Sequence, residues 1–156
     1  MIYAVLCHIA AGCFWGIEEK FLSHRGVLDT EVGYIGGITS APSYHDVCSG
    51  ETGHAEAVRV KFDEDVVSYE ELVNLFFKIH DPTTLNRQGP DIGTQYRSEI
   101  FCLDDDQYLI ANEIKRNFNK EVYDDKIVTS ISMADNFWIA EEYHQKYVRK
   151  KKNMIF

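Results

Sequence analysis

Apolar and polar positions along the chain mark out nine elements. Ile2-Tyr3-Ala4-Val5-Leu6-Cys7-His8-Ile9-Ala10 is nearly continuous in apolar character, which suits a central strand covered on both faces. Gly12 permits a sharp turn. Phe14, Ile17 and Phe21 then recur at helical spacing through Leu22, with Glu18, Glu19 and Lys20 facing water. Val27 to Tyr34 reads as a short strand, and Gly33, Gly36 and Gly37 open a loop that runs to about Gly53. From His54 to Asp63 the alternation is strict: Val58, Val60 and Phe62 share one face, and Glu56 falls on that same apolar face.

Ser68-Tyr69-Glu70-Glu71 has the pattern of a capping box and opens a helix through His80, with Leu72, Phe76 and Ile79 as its buried stripe. Asp81 to Gln95 has no period and leads into a strand from Tyr96 to Leu103. Asp104 caps a helix to about Lys120, buried through Ile110, Ile114 and Phe118. Ile127 to Met133 alternates as a last strand, Phe137-Trp138 anchors the return, and Ala140 to Val148 has the look of a final helix. The order is strand-helix-strand-strand-helix-strand-helix-strand-helix. It predicts an α+β fold in one domain over residues 1–156: a two-layer sandwich of a mixed β-sheet with packed helices, on a ferredoxin-like core.

Composition narrows the partners. A formal net charge of −9 makes the chain a poor general binder of nucleic acid, because neutralising phosphates needs clustered cations. The one basic run, Arg149-Lys150-Lys151-Lys152, reads as a solvated tail. The apolar start is too short to span a bilayer and has no basic flank, so a soluble, cytoplasmic protein is expected. The four cysteines, Cys7, Cys13, Cys48 and Cys102, form no C-x-x-C pair and no dense disulfide framework. Reduced thiols are the expectation.

Cys13 changes the picture most. It sits at a strand-to-helix turn in Gly12-Cys13-Phe14-Trp15-Gly16, where a helix dipole and free backbone N–H groups are expected to favour the thiolate. A soft sulfur nucleophile there could attack a carbonyl, a disulfide, a peroxide or a sulfoxide. None of the six histidines has a local signature that ties it to Cys13 as a base. His45, Cys48 and His54 have a spacing that can ligate metal, but no fourth ligand is apparent; His45 and His54 read better as groups that order the loop.

Glu56 on an apolar strand face is costly to ionise, so it is expected to hold a proton near neutral pH unless it is wet or paired with an arginine. A sulfoxide oxygen must be hydrogen-bonded and then protonated as sulfur is attacked, and tyrosine hydroxyls with a neutral glutamate can do both. Phe14 and Trp15 could form an apolar slot for a methyl group, or simply pack in the core. A cysteine peroxidase and a module that grips an apolar ligand stand as competing readings.

Four segments make the chain similar to the peptide methionine-S-sulfoxide reductase family, the A type. They are Gly12-Cys13-Phe14-Trp15-Gly16; Pro42-Ser43-Tyr44 with Val47-Cys48-Ser49-Gly50; Thr52-Gly53-His54-Ala55-Glu56-Ala57-Val58; and Asp91-Ile92-Gly93-Thr94-Gln95-Tyr96-Arg97-Ser98. His80-Asp81-Pro82, Phe137, Ala140-Glu141 and His144-Gln145 extend the match over nearly the whole chain.

The resemblance implies an enzyme of oxidative damage repair, a monomer that acts on methionine S-sulfoxide, free or in proteins. It implies that Cys13 becomes a sulfenic acid, Glu56 protonates the sulfoxide oxygen, Tyr44 and Tyr96 hydrogen-bond that oxygen, Phe14 and Trp15 hold the methyl group, and Asp91 orients substrate or water. It implies no bound cofactor or metal. Many members carry recycling cysteines in a C-terminal tail; Arg149 to Phe156 has none. The expectation is a one-cysteine enzyme reduced by an external thiol (thioredoxin, glutaredoxin or glutathione), with Cys102 on the Tyr96 face and Cys48 in the Tyr44 loop as the alternative resolving thiols.

Overall fold

The structure, a computed structural model, describes residues 4–154. Ile2 and Tyr3 of the expected first strand lie outside them. The elements are β1 (Ala4–Ala11), α1 (Phe14–Leu22), β2 (Val27–Ile35), α2 (Tyr44–Cys48), β3 (Ala55–Asp63), α3 (Tyr69–Lys78), β4 (Arg87–Gln88), β5 (Asp91–Ile92), β6 (Ser98–Cys102), α4 (Asp105–Phe118), β7 (Ser130–Met133), β8 (Trp138–Ile139) and α5 (Tyr147–Asn153). The main sheet runs β7-β6-β1-β3-β2-β8, with β4 and β5 as a separate hairpin. Its middle four strands, β6-β1-β3-β2, are all antiparallel, and only β6 and β7 pair in parallel. With α1 and α3 as crossovers, this is the ferredoxin-like arrangement expected from the pattern.

β1 is central, and both of its faces are buried. Cys7, Ile9 and Ala11 join Val58, Val60 and Phe62 of β3 in a core packed under the helices, with Phe14, Phe21, Leu72, Phe76 and Phe77. Ala10 faces the other way, with Ile35, Ala55, Ala57 and Phe101, and the segment around Ala134 and Phe137 closes over them. A carbon added at Gly33 would lie 2.5 Å from the Phe137 ring, so this cover depends on glycine. No helix among the described residues is long and apolar enough to cross a membrane.

His8 is the oddity of the back face. Its ring stacks on Phe137 at 5.0 Å, and neither ring nitrogen has a hydrogen-bond partner among the described residues. Burial, aided by the Arg59 charge, pushes its pKa down to about 4. The folded state therefore holds His8 neutral where the unfolded chain would protonate it, and stability present above pH 6.5 is lost as pH falls toward 4. His80 is pushed the same way by burial. Urea unfolding should show His8→Leu losing about 2 kcal/mol less than the wild type between pH 7 and pH 5. Parallel losses in the two proteins would remove His8 from the account.

Several boundaries differ from the sequence reading. The loop after β2 contains α2, opened by a full capping box between Ser43 and Asp46. Asp81 to Gln95 is ordered: the Gln88 side-chain amide donates to the Asp81 carbonyl and accepts from its N–H, and β4 and β5 pair. Tyr96 lies in a 3-10 turn (Thr94–Tyr96) rather than in β6. The strand expected from Ile127 begins at Ser130, and α4 runs on into a π-helical turn, Asn119–Tyr123.

The expected helix from Ala140 to Val148 does not form. A 3-10 turn spans Glu142–His144, Lys146 is left-handed, and α5 starts at Tyr147. Long-range bonds override the helical pattern here. The Gln145 side chain accepts from Val32 N–H and donates to the Val32 and Ala140 carbonyls, and buried Glu18 accepts from Lys146 N–H at 2.6 Å. The basic run is thus part of a helix rather than a loose tail.

Candidate active site

Gly12 adopts φ +100°, and a carbon added there would lie 2.8 Å from the Gln88 side chain. Only glycine lets β1 turn sharply into α1 beneath the β4–β5 hairpin. Cys13 is the residue before the first turn of α1 and is half-buried; its sulfur makes no capping hydrogen bond, and the Trp15 and Gly16 N–H groups act to lower its pKa.

These donors favour the thiolate, as the sequence predicts, but they do not decide the outcome. Burial pushes the Cys13 pKa up, and the nearby charges of Glu56 and Asp91 push it further. The expected low-pKa thiol is corrected to a raised one. The helix terminus is visible in sequence, whereas the desolvation and the two carboxylates come from the tertiary fold.

Glu56 sits on the helix-side face of β3, 1% exposed. Its Oε1 accepts from Phe14 N–H at 3.2 Å, and its buried Oε2 has no partner among the described residues. No arginine pairs with it. Burial raises its pKa to about 7; the Phe14 N–H works against the shift, and Asp91 adds to it. The result is a carboxyl poised between its two protonation states near neutrality, with one oxygen free.

Two phenols share this environment. Tyr44 is the first residue of α2, and its N–H donates to Glu141 Oε2 at 2.9 Å. Burial and a hydrogen bond with the Cys48 thiol raise its pKa. Burial pushes Tyr96 up to about 12, helped by the charges of Glu56, Cys48, Asp91 and Cys13. Both phenols therefore stay protonated at neutral pH and can donate. Half-buried Asp91, on β5, completes the group.

Phe14 is fully buried between Tyr34, Tyr44 and His144, with ring centroids at 5.8, 6.5 and 5.2 Å. Trp15 remains half-exposed. Its indole N–H donates to His144 Nδ1 at 3.0 Å, and its ring stacks on Tyr147 at 3.9 Å. The fold thus brings Cys13, Glu56, Tyr44, Tyr96, Asp91, Phe14 and Trp15 to one end of the sheet.

The supports behind them carry no label in the sequence. Glu141 accepts from both Tyr34 O–H and Tyr44 N–H, which fixes α2 against β2. His144 and Tyr147 fix the indole. They lie about a hundred residues or more from the groups they hold, and the only signal that could have found them is the family pattern around Ala140-Glu141 and His144-Gln145.

His54 orders the loop as expected: it accepts from Gly37 N–H at 3.0 Å and bonds the Thr39 carbonyl at 2.7 Å. Both its ring nitrogens are occupied, so the metal reading with His45 and Cys48 loses a ligand. Two open concavities of about 510 and 520 Å³ lie along this loop and include none of the residues gathered around Cys13.

A thiol, a half-neutral carboxyl with a free oxygen, two phenolic donors and an aromatic wall can together deliver a sulfur nucleophile and a proton to a polarised oxygen acceptor. Comparison with known proteins gives the class. Residues 6–155 match the family model described as peptide methionine sulfoxide reductase. The chain is 55% identical over 141 residues to peptide methionine sulfoxide reductase MsrA of Methanothermobacter thermautotrophicus, covering 90% of this chain and 83% of that protein.

The reduced form of Mxr1 from Saccharomyces cerevisiae superposes with a TM-score of 0.91 at 40% identity, over 96% of this chain and 86% of that one. Mxr1 in complex with Trx2 superposes at 0.67 and 29% identity, over 92% and 84%. The chain belongs to the peptide methionine sulfoxide reductases of the MsrA type, enzymes that reduce methionine sulfoxide.

Proposed function

We propose that this single catalytic domain, acting as a monomer, reduces the S epimer of methionine sulfoxide, free or in proteins, through a sulfenic acid on Cys13, and so repairs oxidative damage. The observation that carries the reading is Glu56, a buried carboxyl with a pKa near 7 whose free oxygen lies at the turn that bears the nucleophile.

The sulfoxide methyl enters between Phe14 and Trp15, and its oxygen takes hydrogen bonds from Tyr44 and Tyr96. The Cys13 sulfur attacks the sulfoxide sulfur while Glu56 gives its proton to the oxygen. The thiolate and the Glu56 carboxylate repel each other, so the reactive form is the one in which sulfur is ionised and Glu56 is neutral. Asp91 raises the Glu56 pKa and keeps that proton available. As the S–O bond breaks, oxygen passes to Cys13 and the thioether leaves. Sulfur of the substrate is reduced by two electrons, Cys13 is oxidised by two, and the proton ends on the sulfenic acid.

Recycling falls to an external thiol. Cys7 and Cys102 are buried, with pKa values pushed by burial to about 12 and 11, which keeps them protonated and enclosed. Two equivalents of an outside thiol return Cys13 to the thiol and release water. A thioredoxin-type protein fits this step, in keeping with the complex of the relative Mxr1 with Trx2; glutaredoxin or glutathione would serve the same chemistry.

Supplying dithiothreitol with each epimer separately tests the reading. Methionine is expected from the S form only. Equal consumption of both epimers, or none of the S form, would defeat it, and rapid peroxide consumption without sulfoxide turnover would favour a peroxidase.

A further inference from the structure

Three of the four cations in Arg149-Lys150-Lys151-Lys152 are matched by carboxylates. Arg149 and Lys152 approach Glu19 at 3.3 and 3.7 Å, and Lys150 approaches Glu142 at 3.6 Å. Lys151 makes no such pair among the described residues. Its ammonium lies 5.4 Å from the centre of the Tyr147 ring, and that ring is the one stacked at 3.9 Å and 10° on Trp15. Tyr147 therefore links an exposed cation to the wall assigned to the substrate methyl, and the ammonium lies within about 10 Å of the indole. The other charged groups gathered around the site, Glu56, Asp91 and Glu141, are acidic. Lys151 gives this end of the molecule a positive point with no carboxylate partner among the described residues.

We propose that Lys151, carried on the Tyr147–Trp15 stack, is a subsite for a carboxylate held close to the sulfoxide, so that oxidised methionines flanked by Asp or Glu are preferred. This rests on the substrate orientation proposed above. An extended chain advances about 3.3–3.6 Å per residue, so an acidic side chain one to three residues from the methionine spans the required distance while the methyl group occupies its slot. The contact is exposed and about a Debye length from the chemistry. It therefore acts on binding rather than on the chemical step, by about two- to fivefold, and weakens with salt.

The test uses the full chain with dithiothreitol, so that no protein reductant shares the surface. Two substrate pairs are compared: a peptide bearing methionine S-sulfoxide with Glu two residues to either side against the same peptide with Gln, and N-acetylmethionine S-sulfoxide against its amide. The Glu peptide is expected to show a two- to fivefold lower KM than the Gln peptide, with equal kcat, and the gap should close near 0.5 M salt (about a 4 Å Debye length). Lys151→Gln should raise KM for the Glu peptide alone, and Lys151→Glu should invert the preference, both leaving Gln-peptide turnover unchanged.

The same Lys151-dependent gap in the acetylmethionine pair would show that the substrate's own terminal carboxylate also fills the subsite. Equal KM values within both pairs, or a gap that survives Lys151→Gln, overturns the subsite while leaving the reductase reading intact. Failure to reduce even the Gln peptide would count against the reaction itself, and the subsite would fall with it.

Discussion

Replacing Cys13 by serine is expected to lower sulfoxide turnover by about 10³-fold or more while the protein stays folded. The expectation of an intact fold comes from the position. Cys13 precedes the first turn of α1, where the first N–H groups of the helix lack carbonyl partners and its sulfur makes no capping hydrogen bond. A serine hydroxyl accepts bonds from such groups at a helix start at least as well as a thiol does, so the melting temperature should be unchanged or slightly higher.

The hydroxyl lacks the soft, ionisable sulfur and cannot hold oxygen as a sulfenic acid. Intact-mass analysis separates chemistry from binding. Wild-type protein given S-sulfoxide without reductant should gain one oxygen (about 16 Da) on Cys13, and the serine variant none. Loss of two hydrogens instead would indicate a disulfide, with exposed Cys48 the accessible partner, and would overturn the one-cysteine cycle. Turnover retained by the serine variant would move the nucleophile elsewhere.

The residues that the fold gathers around Cys13 were legible because each announces itself locally. Gly12-Cys13 stands at a change of period, from continuous apolar to helical. Glu56 breaks the alternation of its own strand, and a carboxyl on an apolar face has few reasons to be there. The turn residues and the long irregular stretch around Asp91 and Tyr96 mark a loop built for a purpose. What was not legible is what arrives from far along the chain. The indole of Trp15 is held by His144, and the N-terminus of α2 by Glu141; no periodicity couples such positions.

The same separation explains two of the places where the local pattern misleads. The helix expected from Ala140 has the right local pattern but gives way to bonds from Gln145 to Val32 and from Lys146 to Glu18. The thiolate expected at Cys13 has the right helix terminus but meets a buried setting and two carboxylates. By contrast α2 could have been found, because Ser43 and Asp46 stand at capping-box spacing.

Glu56→Gln should separate what this carboxyl does for catalysis from what it costs the fold. Glutamine can still accept the Phe14 N–H, so the β3–α1 junction should hold, but its amide has no proton to release to a sulfoxide oxygen. A loss of about 10²- to 10⁴-fold in the reduction step is expected. The pH profile should change as well. With a pKa of about 7, wild-type Glu56 loses its proton as pH rises through neutrality while more Cys13 becomes thiolate, so the wild-type rate should rise with pH up to about 7 and then level off; in the variant the residual rate should keep rising past pH 7 as Cys13 ionises. An unchanged rate would remove Glu56 from the mechanism.

Stability should move the other way. The Glu56 pKa is higher in the folded protein than the ordinary 4.5, so its contribution is fully favourable below about pH 4.5 and is lost as pH rises to 7 and beyond. Between pH 5 and pH 8 the wild type should lose about 2–3 kcal/mol that the glutamine variant retains, read as the difference between their urea-unfolding free energies at the two pH values. The difference between pH values is the informative quantity, because the buried amide introduces a constant cost of its own, about 1–3 kcal/mol for an unsatisfied donor. A pH trend identical in both proteins would mean that Glu56 titrates as an ordinary wet carboxylate and could not hold the proton the reaction needs. The burial that makes Glu56 an acid at pH 7 is the same burial that destabilises the fold when the proton is gone, so one substitution measures both.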